Sequence, residues 1–408
     1  MIPLTRALAR YVHASRFDAL PPAVRREGVR AFVNWVGCAA GGAREANVAH
    51  VLAILDEFNG ARDTTVAGHA LKLDRLNAAA INAMSSAALA FNDTHYATVA
   101  HPTSPVAAVL LALAEHRPMS GSDFLHALVL GIEIQCRIGN LLFTSPAQCN
   151  VGLSMAGLVG GIGAAIAAAK ALGLDETGIA TALGFTCSDS MLEGNKGFGV
   201  SFAAHPNFAA ALDGLGSTFE ILTLAYKPYP CGFVVHPAID ACLDLARAHD
   251  LDPAAIARVE LTVSPLAAKL ADRPALTDRN QTLTSLQHWA AVSLLQRAAG
   301  IAQMSEAALH DPAVERLRRA VTVAADPALG NEAARVRVAL ADGRAFDTQI
   351  AHCRGSAGRP LSDDELVEKT RAQCRLVYDE AKTARLIDGA WRIADSRDVG
   401  RYAAELAA

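Results

Sequence analysis

No charged residue stands between Arg137 and Lys170. A stretch of that length either spans a bilayer or runs through the core of a large helical domain. Pro146, Gln148 and Asn150 interrupt it, and small residues crowd its second half: Gly157, Gly160, Gly161 and Gly163, then alanines through Ala169. These favour a buried helix over Val151–Leu172 whose small side chains let neighbouring helices approach closely. The glycines are not a nucleotide fingerprint, because no strand leads into them and the third glycine of GxGxxG is absent.

The rest of the chain agrees with a large helical core. Apolar residues make up 52% of the 408 and charged residues only 19%, a balance that excludes disorder and leaves room for two domains. Apolar residues recur at helical spacing over Arg25–Ala40, Leu76–Leu89, Val106–His116 and Asp123–Ile138, with Ser122–Asp123 as an expected cap. The texture changes near Asp252. Ile256–Val263 alternates, with Val259, Leu261 and Val263 on one side, as a strand does. Val336–Leu340 and Ala345–Ile350 flank an Asp342-Gly343 turn, which predicts a hairpin. Leu286–Gln303 and Asp311–Arg319 read as helices between the strands. Ser362 and Glu365 form a capping box at the start of a further helix. The expected fold is therefore mainly α. A helical domain covers 1–252, a smaller α+β domain covers 253–358, and C-terminal helices over 359–408 return to the helical domain.

The formal net charge of -4 and the lack of any block of like charge give no nucleic-acid groove and no anionic-membrane surface. Arg6 and Arg10 break any basic-then-apolar leader pattern. The eight cysteines are scattered without a CxxC pair, which predicts reduced, mostly buried thiols in a cytoplasmic compartment. The thirteen histidines and the cysteines never reach metal-ligand spacing, so no metal is expected.

Two segments carry chemistry-bearing residues. The first is Phe91-Asn92-Asp93-Thr94-His95 followed by His101-Pro102-Thr103-Ser104. Two histidines, an aspartate and several hydroxyls in one short loop suit general acid/base work at neutral pH. The same residues also suit a plain helix connection, with Asp93 as a cap and the histidines exposed. The second segment is Lys227-Pro228-Tyr229-Pro230-Cys231, then His236. A lysine on a stiff proline loop beside a helix N-terminus makes a carboxylate clamp, or simply a turn with a solvated lysine. Cys231 reads as a structural thiol. The polar stretch over Gly184–Gly199, with Asp189, Glu193, Asn195 and Lys196, reads as a site edge or a loop.

Five segments in order resemble the MmgE/PrpD family. They are Asn34-Trp35-Val36-Gly37 with Gly41-Gly42; Phe91–His95 with His101-Pro102-Thr103; Gly163–Leu174; Lys227–Cys231 with His236 and Ile239-Asp240; and Pro360-Leu361-Ser362 with Lys369. The resemblance implies a helical domain built from both chain ends, an inserted α+β lid and an active site between them. It implies a homodimer that needs no metal or organic cofactor. The implied chemistry is proton removal beside a carboxylate of a small di- or tricarboxylate, followed by loss of water, loss of carbon dioxide or reprotonation. Dehydration is the first expectation, with epimerisation or decarboxylation as alternatives. On this resemblance His101 is the acid/base candidate, and Asp93, Thr94 and His95 shape the catalytic site. Lys227 holds a substrate carboxylate with Tyr229 and His236 nearby, and His288 closes the site from the lid.

The chain also departs from the family. Ala90 and Asn92 stand where acidic residues are usual, and Ser154 stands where a histidine is common. The family's Lys-x-x-His-x-Gly segment is absent after Ala182-Leu183-Gly184, and Lys196 is its remnant, and so a further substrate-binding candidate, or merely the cut edge. These departures leave a third possibility, a catalytically inactive binding or scaffold relative.

Overall fold

The computed structural model of the chain describes residues 3–149, 154–184 and 190–408. Its contacts divide the chain into two units. One comprises Met1–Ala88, Asn92–Ala225 and Ser362–Ala408, and the other Leu89–Phe91 and Tyr226–Leu361.

The first unit is helical, as the apolar spacing predicts. Its central helix, Gly121–Phe143, is capped by Ser120, whose Oγ accepts from the Asp123 amide. The cap thus falls two residues before the expected Ser122. This helix is long and apolar enough to cross a bilayer, yet 94% of its apolar window is buried against other parts of the protein, which is the environment of a core helix. It packs against Met155–Ala171, which Ser154 caps; the expected start at Val151 lies outside the described residues. The close approach rests on Gly163. A Cβ there would lie 2.3 Å from Oε1 of Gln135 and 3.0 Å from the Gly131 carbonyl, whereas nothing lies within 4 Å of one at Gly161. The small-residue cluster is therefore a contact at one position and open surface at another.

The chain ends meet through Pro22–Gly42 and Asp363–Cys374, which pack together. Pro22 opens the first helix at a position where no backbone N–H is needed. Ser362 and Glu365 form the expected capping box at the start of the second. A Cβ on Gly37 would meet Cα of Thr370 at 2.8 Å, so only glycine allows this crossing. Arg26 and Arg30 both pair with Asp363 at its edge.

The second unit holds a four-stranded sheet in the order Val321–Ala325, Ile256–Val263, Ala334–Leu340, Ala345–Ile350. The first pair is parallel, with Val259 opposite Val321, and the others are antiparallel. Val259, Leu261 and Val263 are buried along one face as the alternation requires, and the hairpin turns at Gly343, whose φ is +90°. Two expectations change. The helix expected over Leu286–Gln303 ends at Gln296, where Arg297 turns left-handed at φ 53°; Gly300 and a short 3-10 turn follow. Val321–Ala325, a strand not foreseen, pairs through the backbone at a sheet edge and has only its first residue buried. The unit also begins at Tyr226, earlier than the expected 253. The helix His236–Ala248 goes with it because that helix packs on the hairpin strands and on Leu286–Gln296.

Candidate active site

The first chemistry-bearing segment folds as a compact polar knot in the helical unit. Asp93–His95 is a short extended segment, and His95 bridges back to Ala100 through its amide. The turn between them forces Val99 to φ 55°, a strained conformation for a β-branched residue. Asp93, Thr94 and His95 are buried, whereas His101 is only half-buried. Oδ2 of Asp93 accepts from the amide of Thr103 at 3.2 Å and from its hydroxyl at 2.8 Å. Asp93 thus satisfies an otherwise orphaned amide at the start of the Thr103–Ala114 helix. The capping role that the sequence offered for Asp93 is met by this carboxylate.

His101 is oriented by the same knot. Its Nδ1 lies 2.7 Å from the Asp93 carbonyl and 3.2 Å from Oγ1 of Thr94. A carbonyl only accepts, so Nδ1 carries the proton. Nε2 is then the basic nitrogen of the neutral ring. Both nitrogens of His95 are engaged inside the protein. Nδ1 lies 2.7 Å from Oγ1 of Thr98 and Nε2 lies 3.0 Å from Oε2 of Glu220. Burial would raise the Glu220 carboxyl, but the hydrogen bond and charge of His95, with Arg137 and Asn140 behind them, hold it below its ordinary value. His95 therefore braces the loop.

Glu220 was not legible as a site neighbour, and it depends on a deeper pair. Its amide donates to Oε2 of Glu133 at 2.7 Å. Glu133 in turn accepts at 2.6 Å from Nε of Arg137, and neither side chain is exposed at all. Arg137 also donates to the carbonyls of Asp213 and Thr218 at 2.6 and 2.9 Å. Burial pushes the Glu133 carboxyl up to about 7, with Arg137 opposing. The one sequence signal was two charges four apart in an otherwise apolar helix.

Lys369 is a second group whose position the sequence left open. Its Nζ donates to Oδ1 of Asn34 at 2.5 Å. Burial lowers its pKa, while the charges of Cys38 and Asp93 oppose that shift. Trp35, next to Asn34, donates from Nε1 to the Ser104 carbonyl at 3.1 Å. The family-like segments at 34–37, 92–104 and 369 are thus one neighbourhood of the helical unit.

The expected substrate-binding residues fall mainly in the second unit. Lys227 is 3% exposed, which rules out a solvated turn lysine. Tyr229 donates from its hydroxyl to Oδ1 of Asp240 at 2.5 Å, and its ring meets His236 edge-on at 5.2 Å. Burial lifts the Tyr229 hydroxyl and the Cys231 thiol far above their ordinary ranges, consistent with Cys231 as a structural thiol. His288 is wholly buried, with Nε2 2.8 Å from the Gln303 carbonyl, and burial lowers its pKa to about 4. Lys196 lies exposed in a turn of the helical unit. Asp189 and Cys187 are outside the described residues; the seven described cysteines are free thiols. Among the described residues no group of three or more His, Cys, Asp or Glu is arranged to hold a metal ion.

Residues 6–204 match the MmgE/PrpD N-terminal domain and residues 229–393 the MmgE/PrpD C-terminal domain. The chain is 26% identical over 348 residues to cis-aconitate decarboxylase of Homo sapiens, covering 72% of this chain and 71% of that protein. It is 25% identical over 376 residues to the Mus musculus protein of the same name, covering 78% and 75%. Matched over both of its halves, the chain belongs to the MmgE/PrpD family.

Proposed function

We propose that this chain is a cofactor-independent lyase that removes a proton beside a carboxylate of a small di- or tricarboxylate. The observation that carries the reading is the half-buried His101, whose protonated Nδ1 is tied to the Asp93 carbonyl so that Nε2 is the basic nitrogen. A base fixed in one tautomer on a braced loop is what proton abstraction from carbon needs. Once the proton is on the histidine, the electron pair left on carbon expels the hydroxyl group, which takes that proton and leaves as water in a dehydration, or the carbon is reprotonated in an epimerisation. In a decarboxylation the pair comes from the breaking bond to carbon dioxide, and the histidine delivers the proton. The relatives are named cis-aconitate decarboxylases, which favours loss of carbon dioxide from a tricarboxylate. Lys369, a buried lysine in the same unit as His101, suits carboxylate binding. The homodimer implied by the family belongs to the same reading, and sedimentation tests it.

A second reading, a binding relative without turnover, is supported by Ser154, which caps a helix where family members often carry histidine. Proton NMR in deuterium oxide separates the two. The purified chain is incubated with cis-aconitate, citrate, 2-methylcitrate and iminodisuccinate. Deuterium uptake, water loss or decarboxylation that His101→Ala abolishes, in a protein that remains folded, supports the lyase. Turnover that survives His101→Ala removes His101 from its role. A silent panel with measurable binding leaves the binding relative.

A further inference from the structure

The second unit contains a cavity of about 430 Å³ to which the proposed chemistry assigns nothing. Its wall is built by Arg247 from the last turn of His236–Ala248, by Arg354 and Arg359 from the loop after the hairpin, and by 298–300. Tyr229, Asp240 and Asp244 complete the polar lining. The three arginines outnumber the two aspartates by one charge. The Asp240 carboxylate already accepts from the Tyr229 hydroxyl at 2.5 Å and from the Arg354 amide at 2.6 Å, with Nη1 of Arg359 at 3.8 Å. Asp244 is exposed, one helical turn before Arg247.

Three arginines lining one concave site suit a planar or tetrahedral oxyanion, which takes paired N–H donors in a fixed fork. The cavity is at the small end of ligand pockets. It is too large for a lone water and ample for a compact organic anion. The Arg354 side chain also hydrogen-bonds the Tyr229 hydroxyl, so one wall is already rigid before anything binds.

We propose that this cavity is a separate anion site that takes a compact dianionic oxyanion, of the carboxylate or phosphate kind, on Arg247, Arg354 and Arg359. Occupancy bears on Tyr229, and through its ring on His236.

Calorimetric titration of the full chain with inorganic phosphate, and separately with succinate, tests the site in buffer free of both. Saturable binding of either probe is expected, weakened about tenfold or more in Arg247→Gln/Arg359→Gln, since each lost charge-assisted hydrogen bond has about that effect. Binding to His101→Ala should match the parent, which separates this site from the candidate catalytic loop. Phosphate alone binding points to a phosphorylated ligand, and both binding points to the shared dianion chemistry. Arg247 and Arg359 are exposed, so the double variant should fold; if circular dichroism shows otherwise, Arg247→Gln alone carries the comparison. Absence of saturable binding by both probes, or equal affinity in the arginine variants, overturns the proposal.

Discussion

Nζ of Lys369 and Oδ1 of Asn34 meet at 2.5 Å across 335 positions of chain. The bond closes the crossing of Pro22–Gly42 with Asp363–Cys374, and it does so with a buried lysine. Burial holds the Lys369 pKa below its usual 10.5, so the unfolded chain keeps that proton to higher pH than the folded one. The folded state therefore gains stability as pH rises toward 10.5. Urea denaturation between neutral and alkaline pH should show this gain in the parent and not in Lys369→Met. Parallel curves for the two proteins would remove Lys369 from the explanation.

Arg137 should be among the most sensitive positions in the helical unit. Arg137→Met leaves Glu133 buried without its partner and frees three carbonyls, those of Ala211, Asp213 and Thr218. A loss of about 3–5 kcal/mol is expected. Adding Glu133→Leu should recover a large part, because the uncompensated charge goes with it. A double variant no more stable than Arg137→Met would instead assign the loss to the freed carbonyls. Because Glu220 takes its place from Glu133 and holds His95, the single variant should also lower any His101-dependent turnover.

His288 gives the second unit an acid-side weakness. Burial lowers its pKa from 6.5 to about 4. Between those values the unfolded chain binds a proton that the folded chain refuses, so stability falls as pH drops from about 6.5 and levels off below about 4. The shift corresponds to about 3 kcal/mol. His288→Gln, which keeps a donor toward the Gln303 carbonyl, should flatten that part of the pH profile in thermal melts. NMR titration of the ring with a pKa near 6.5 is the result that contradicts this.

The glycines of Met155–Ala171 should separate in sign. Gly163→Ala places a Cβ 2.3 Å from Oε1 of Gln135, so the packed helices must move apart, at about 1–3 kcal/mol. Gly161→Ala meets nothing within 4 Å in a helix interior and should stabilise by about 0.5–1 kcal/mol. Chemical denaturation of both variants measures the contrast, and a stabilising Gly163→Ala would mean that the helix contact is looser than described.

Most elements were legible in the chain because their causes are local. Strand Ile256–Val263 follows from alternation alone, and the capping box at Ser362 follows from side chains three residues apart. The end of Leu286–Gln296 was not legible, since nothing in the residues beside Arg297 requires a left-handed turn. Val321–Ala325 was missed because an edge strand that buries little has almost no apolar pattern to read.

The candidate site divides in the same way. The sequence by itself determined which residues were available: Asp93, Thr94, His95 and His101 in one loop, and Lys227, Tyr229 and His236 in another. Tertiary structure decided what each can do. It tied Nδ1 of His101 to a carbonyl, engaged both nitrogens of His95, and brought Glu220 and Lys369 in from distant positions. Hydrogen bonds and burial set protonation and tautomer, and they depend on neighbours that chain order does not reveal. The residue types were therefore readable from the sequence, and their chemical roles had to wait for the contacts.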